Sequence, residues 1–172
     1  TPGTFQHSVT VGLLVDAAAQ AVGADALLAR VGALYHDVGK TERPEAFVEN
    51  QHGVNPHDRL TAAESAALII GHVNVGVRLV REFGIGERIA DFVREHHGTG
   101  LVRFFFARAQ ALGPADPAAF SYPGPRPRSR ETGLLMLADQ VEATARAIDD
   151  PTEAALRSMV QQTIDRVLAE GE

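Results

Sequence analysis

Apolar residues recur at helical spacing from one end of this chain to the other. His7, Val11, Leu14, Val15, Ala18 and Val22 share one face and predict a helix over 4–22, stopped by Gly23. Leu28, Val31, Gly32, Tyr35 and His36 form the stripe of a second helix over 24–38, ended by Gly39. A third opens on Thr61-Ala62-Ala63-Glu64, a capping-box pattern, and runs through Leu68, Ile69, His72, Val73, Gly76 and Val80 to Phe83. A fourth covers 87–97, a short phenylalanine-rich fifth covers 101–112 and a sixth covers 131–148. Asp150-Pro151-Thr152-Glu153 offers a cap at Asp150, a proline at the first helical position and a glutamate three residues after the cap. The seventh helix that follows has the stripe Leu156, Met159, Val160, Thr163, Val167. No segment repeats and none alternates as a strand does. The pattern predicts an all-α fold, a compact bundle of about seven helices forming one domain over 1–172.

Two long stretches interrupt the helices. Residues 40–60 hold Pro44, Gly53 and Asn55-Pro56, and residues 113–130 hold five of the nine prolines. Loops of that length in a compact domain are usually functional or disordered, and the prolines forbid helix.

Composition narrows the chemistry. With 172 residues, 45% of them hydrophobic, the chain can bury one core. It has no cysteine, so any metal must be held by nitrogen and oxygen. A net charge of -6 disfavours a nucleic-acid polymer as partner but leaves room for a small anion in a local positive pocket. Uninterrupted apolar runs such as 66–70 are too short to span a bilayer, and no signal peptide is visible. The chain opens on Thr1 and enters helical pattern almost at once, which reads as a domain excised from a longer protein.

The histidines fall on the apolar stripes. Ile89, Phe92, Val93, His96 and His97 share the inward face of the fourth helix, which therefore ends in adjacent imidazoles. His36 closes the stripe of the second helix, with Asp37 beside it, and His72 lies between Ile69 and Val73. His7 opens the first stripe. In the sixth helix Thr132, Leu135, Met136, Asp139 and Ala143 put a carboxylate in the middle of an apolar face. A single inward histidine is most often a core residue bonded to a carbonyl. Five inward histidines and two inward aspartates are costly to bury together unless cations sit among them. Imidazole and carboxylate suit divalent first-row ions, and a carboxylate can bridge two of them. Two ions about 3.5–4 Å apart can activate a water and clamp a phosphoryl group.

His36-Asp37 with Gly39-Lys40 resembles the HD-x-G-K signature of the HD-domain metal-dependent phosphohydrolases. The order His7, His36-Asp37, His72, His96-His97, Asp139 is similar to the two-metal branch of that superfamily. Pro2-Gly3-Thr4, Ala29-Arg30-Val31-Gly32-Ala33, Asn55-Pro56-His57-Asp58, His96-His97-Gly98-Thr99 and Tyr122-Pro123-Gly124-Pro125 resemble the cytoplasmic domain of the seven-transmembrane HD receptors of the PgpH type. The resemblance implies a phosphodiesterase that converts cyclic di-AMP to linear pApA with iron or manganese. It implies His7, His36, Asp37 and Asp139 around one ion, and Asp37, His72, His96 and His97 around the other, with Asp37 as the bridge. Metal-activated hydroxide would attack one phosphorus and expel the 3′ oxygen, and Lys40, the only lysine beside fifteen arginines, would stabilise charge on the phosphate. It also implies a membrane anchor ahead of the domain and a cytoplasmic location. The sequence does not define an oligomeric state.

In the loops, Arg126 and Arg128 read either as a phosphate clamp or as solvated charge. Asn55 and His57 are candidate nucleotide contacts or an ordinary Asn-Pro turn, Tyr122 is a further candidate contact, and neither His52 nor His57 reads as a metal ligand. Phe104, Phe105 and Phe106 can stack a base but more often such residues pack a core. A cyclic di-GMP phosphodiesterase shares the ligand order, but its Gly-Tyr-Pro motif is missing after His96-His97. A one-metal nucleotidase would leave His72, His96 and His97 without a role. A di-iron oxygenase would use similar ligands, and a catalytically inactive nucleotide-binding module would be expected to have lost some of them.

Overall fold

A computed structural model describes residues 1–51 and 53–172. His52 lies outside the described residues. Helix α1 (Pro2–Val22) carries a proline in its first turn and ends at Gly23, whose φ of 69° favours glycine. The N–H of Ala24 then donates to the carbonyl of Ala19 at 2.9 Å and closes the last turn.

Helix α2 (Ala26–Tyr35) is shorter than the expected 24–38. Asp25 caps it, accepting from the N–H of Leu28 at 2.9 Å. At its far end the chain tightens into a 3-10 turn over Val38–Glu42. The regular helix gives way there because His36 and Asp37 turn inward while the backbone of Gly39 presses against a neighbouring helix. Beyond it, the expected irregular stretch folds as short 3-10 turns at Pro44–Ala46, Val48–Asn50 and Pro56–Arg59. Asn50 ties this stretch to α1, accepting from the N–H of Thr4 at 3.2 Å and donating to its hydroxyl at 2.7 Å.

Helix α3 (Ala62–Glu82) opens with the capping box expected at Thr61 and Glu64. Among the described residues it is the one helix long and apolar enough to cross a membrane by length and composition. It packs against α4 (Glu87–Glu95), α5 (Arg103–Gln110) and the Gly39 turn, and it buries His72, Val73 and Val80. Helix α6 (Arg130–Ala145) is capped by Ser129 and ends before the expected 148. Helix α7 (Glu153–Ala169) is capped by Thr152, which accepts from the N–H of Ala155 at 3.2 Å. The expected cap at Asp150 is therefore corrected: Asp150 has a φ of 50° and lies outside the helix with Pro151.

Val11, Val15, Ala33, Phe92, Leu135 and their neighbours form the core shared by α1, α2, α4 and α6. Burying a side chain such as Phe92 or Leu135 contributes about 1.5–3 kcal/mol. That frame offsets the cost of the polar cluster held at its centre. The proline-rich stretch is ordered against the segment after α4. The N–H of Tyr122 donates to Gly100 at 2.9 Å and that of Val102 to Phe120 at 2.8 Å, around an isolated bridge between Leu101 and Ser121. Phe105, Phe106 and Phe120 pack a second core beneath it.

Candidate metal centre

Inward positions within α1, α3 and α6 and just after α2 and α4 bring His7, His36, Asp37, His72, His96, His97 and Asp139 together. Asp37 lies between two groups of donors. Its Oδ2 is 3.5 Å from His7 Nε2 and 3.3 Å from His36 Nε2. Its Oδ1 is 3.3 Å from His72 Nε2 and 3.6 Å from His96 Nε2. Asp139 Oδ1 is 3.0 Å from His7 Nε2, and its Oδ2 is 3.9 Å from His97 Nδ1. Donors around one divalent ion, bonded at 2.0–2.2 Å, stand about 3–3.5 Å apart. The observed spacings are of that order.

The helices also fix which nitrogen faces inward. His36, His72 and His96 each donate from Nδ1 to the carbonyl three residues earlier, on Ala33, Ile69 and Val93, at 2.7, 2.6 and 2.8 Å. Their Nε2 atoms therefore point into the cluster. His7 is held differently: Nδ1 donates to Glu142 Oε2 at 2.6 Å, and Arg146 grips both oxygens of Glu142 at 2.6 and 2.8 Å. His7 Nε2, His36 Nε2 and Asp37 Oδ1 are buried with no hydrogen-bond partner within the protein. Buried polar atoms are rarely left so, and divalent cations on the two sides of Asp37 would satisfy all three.

Charge divides the cluster. Burial opposes charge on His36, but the nearby carboxylates of Asp37 and Asp139 push its pKa up to about 10. Burial likewise opposes charge on His7, and Asp139 and Asp37 prevail to raise it. Burial would raise both aspartates; the neighbouring histidines, with Lys40 at Asp37, hold them well below the usual carboxylate range. His96 and His97 are pushed down, first by burial and then by neighbouring histidine charge. The protein thus keeps positive charge beside its two carboxylates and neutral imidazoles opposite. A divalent ion bound there would displace the protons on the first side.

Lys40 Nζ is 2.7 Å from Asp37 Oδ2 and 2.9 Å from Glu49 Oε1, and 4.9 Å from the centre of the Phe47 ring. It lines a cavity of about 200 Å³ with His7, His97 and Asp139. Tyr122 stacks on His97, with ring centres 4.1 Å apart, so the structure brings it to the cluster. It does not bring the other loop candidates there. Asn55 caps its own turn, accepting from the N–H of His57 at 3.0 Å. His57 is buried against Phe105, with Nε2 donating to the Ala46 carbonyl at 2.8 Å. The Arg128 side chain and N–H donate to the buried Glu95 at 2.7 and 2.9 Å, and Arg126 contacts Thr99 and Glu172. Both arginines are held by acids from distant parts of the chain instead of clamping an anion.

The HD domain family matches residues 4–144. The chain belongs to that family. HD-domain phosphohydrolases are metal-dependent, and the histidine and aspartate groups of this HD domain can bind metal. The chain is 42% identical over 174 residues to the cyclic-di-AMP phosphodiesterase PgpH of Bacillus subtilis, covering 100% of this chain and 24% of that protein. The crystal structure of the PgpH HD domain of Listeria monocytogenes superposes with a TM-score of 0.94, and that of its complex with cyclic-di-AMP with 0.96. Each is 39% identical, covering 99% of this chain and 81% of the other. The chain spans about a quarter of the length of the curated PgpH relatives.

Glu142, Arg146 and Glu49 were not found by sequence reasoning. Glu142 follows Asp139 by three residues on one helix, so its place on the same face was legible; Glu49 lies in a loop and gave no periodic signal. A carboxylate behind a ligating histidine typically contributes 10–100-fold in metal affinity. Glu142→Ala is therefore expected to weaken divalent metal binding by about 10–100-fold, measured by competition with a chelator. Unchanged affinity would show that Glu142 does not orient His7.

Proposed function

We propose that this domain is a two-metal phosphodiesterase that hydrolyses cyclic di-AMP to linear pApA, with iron or manganese as its ions. The observation that carries this reading is the division of Asp37, with one oxygen toward His7 and His36 and the other toward His72 and His96. One ion would be held by His7, His36, Asp37 and Asp139, and the other by Asp37, His72, His96 and His97. Nitrogen and oxygen donors alone suit iron or manganese. Bound there, two ions lower the pKa of water and neutralise charge on a phosphoryl group undergoing in-line displacement.

The chain's own groups do the rest. Asp37 and Asp139 stay ionised, so they supply the negative charge that two dications need. Lys40 lines the cavity beside the cluster, where its ammonium stabilises charge growing on a phosphate, while Glu49 holds it in place. Tyr122, with one face stacked on His97, also lines a cavity beside the cluster, where its ring can contact a base. Cyclic di-AMP as the substrate is supported by the likeness to the PgpH HD domain in complex with that ligand. The share of the PgpH relatives that is covered supports a place as the cytoplasmic domain of a longer membrane protein.

The test offers cyclic di-AMP and cyclic di-GMP side by side to protein loaded with Mn(II) or Fe(II). Faster conversion of cyclic di-AMP, to pApA, is expected. Preference for cyclic di-GMP would keep the centre and overturn the substrate. Cleavage of neither by protein holding two metals would overturn the phosphodiesterase reading in favour of a binding module or an oxygenase.

A further inference from the structure

Four of the five clustered histidines have a ring nitrogen fixed by a hydrogen bond: His36, His72 and His96 by backbone carbonyls and His7 by Glu142. His97 differs. Its Nδ1 is 3.9 Å from Asp139 Oδ2, beyond hydrogen-bond reach, and among the described residues no hydrogen bond orients its ring. Packing locates it instead. Tyr122 stacks on it with ring centres 4.1 Å apart, and the His96 ring lies at 3.9 Å.

Tyr122 is placed in turn from both ends of its segment. Its N–H donates to the Gly100 carbonyl at 2.9 Å. Beyond it the chain runs through Pro123, Pro125 and Pro127 to Arg128. Proline rings fix φ, so this segment has few ways to bend, and anchoring Arg128 restrains Tyr122.

The anchor is Glu95. It closes α4 directly before His96 and His97, and it is 2% exposed. Its Oε1 accepts from Arg128 Nε at 2.7 Å and lies 2.7 Å from Nη2. Its Oε2 accepts from the Arg128 N–H at 2.9 Å and from Thr132 Oγ1 at 2.8 Å. Thr132 and Asp139 lie on the same buried face of α6, about two turns apart. One carboxylate therefore joins the three elements that converge on His97: the end of α4, the stretch carrying Tyr122 and the helix carrying Asp139.

Stability alone does not call for a charge at this position. Apolar side chains of similar volume often replace a buried ion pair without loss. What the pair adds is direction, because a guanidinium and a carboxylate meet in fixed geometry. Both oxygens of Glu95 are committed to these donors, so it acts through its neighbours.

We propose that Glu95 is a positioning residue for the metal centre: by clasping Arg128 and Thr132 it seats Tyr122 against His97 and so aims His97 at the second ion. This role rests on the two-metal reading above.

The test uses Glu95→Gln, with Arg94→Gln as control, an arginine of the same helix paired with Glu87 and Asp91. Arg128 is 62% exposed and 3.4 Å from Asp91, so it keeps water and a second acid when residue 95 is neutral, and the fold is expected to hold. Co(II) is titrated into metal-free protein and followed by its visible absorption. The parent is expected to take up two ions. Glu95→Gln is expected to weaken uptake of one of them about ten-fold or more, as loss of an outer partner of a metal ligand does. The other ion and the urea midpoint stay as in the parent, and Arg94→Gln matches the parent throughout. Added to His97→Ala, Glu95→Gln is expected to weaken binding no further, because the two act as a unit. Equal affinities in Glu95→Gln and the parent would overturn the proposal, as would full additivity with His97→Ala. So would a parallel fall in both affinities and the urea midpoint, which would make Glu95 a structural residue. Uptake of a single ion by the parent overturns the two-metal reading separately. Histidine NMR of the metal-free proteins then decides the positioning: the ring-current shift that Tyr122 imposes on His97 is expected to vanish in Glu95→Gln, and its retention overturns the role.

Discussion

Asp37→Asn is expected to lower phosphodiester cleavage by about 10³-fold or more and to leave the protein unable to hold two metals. The size follows from the role. A metal pair supplies several kcal/mol of transition-state charge stabilisation, and each 1.36 kcal/mol is about ten-fold in rate. An asparagine keeps the shape of Asp37 but cannot offer an anionic oxygen to each side, where His36 Nε2 lies 3.3 Å from Oδ2 and His72 Nε2 3.3 Å from Oδ1. Truncating one member of a buried charge pair often costs about 3–5 kcal/mol of stability. Here two features limit that cost. The Asp37 carboxylate is the strongest influence raising the pKa of His36, so neutralising Asp37 lets that pKa fall and leaves less charge unpaired. Lys40 keeps Glu49 at 2.9 Å. The variant is therefore expected to stay folded while failing to hold two metals. Metal content after dialysis and initial rates, measured on the same preparation, check both halves. Two metals per chain together with activity within ten-fold of the parent would remove Asp37 from the bridging position.

Much of the centre was legible because helical periodicity fixes which residues share a face. His96 follows Phe92 and Val93 on α4, and Asp139 follows Leu135 and Met136 on α6, so both had to be buried. The same rule predicted the seven α-helices found among the described residues, and the Thr61-x-x-Glu64 spacing predicted the capping box. It failed where a residue's partner lies far along the chain. Arg128 reads as a free cation in a proline-rich loop, yet it is committed to Glu95, 33 residues earlier. Glu95 itself is 2% exposed, which no local pattern announces for a glutamate. His57 reads in sequence as a candidate nucleotide contact or part of an Asn-Pro turn, and its burial between Ala46 and Phe105 depends on partners no local pattern names. The cap of α7 moved from Asp150 to Thr152 because two good capping residues compete, and only the backbone conformation of Asp150 decides between them.

The glycine of the His-Asp-x-Gly-Lys segment yields the second large effect. Gly39→Ala is expected to destabilise the protein by about 3 kcal/mol or more, at or above the upper end for overpacking, and to lower metal occupancy with it. A methyl at Gly39 would stand 1.9 Å from the carbonyl oxygen of His72 and 2.6 Å from the amide nitrogen of Gly76. Those atoms are α3 backbone, which cannot swing aside as a flexible side chain does. Ordinary contact begins at 3.4 Å, so the Gly39 turn and α3 must separate by more than an ångström. The turn carries Asp37 two residues before Gly39, and α3 carries His72. Their separation opens the 3.3 Å approach between Asp37 Oδ1 and His72 Nε2. Gly71→Ala supplies the contrast, because it makes the same chemical change in α3 where a methyl meets nothing within 4 Å. There alanine is expected to stabilise the helix by up to about 1 kcal/mol. Urea unfolding midpoints and metal content for the two variants separate the effects. Should Gly39→Ala match the parent in both, close backbone packing is not what the motif glycine provides, and the centre tolerates a looser seat for Asp37 than its geometry implies.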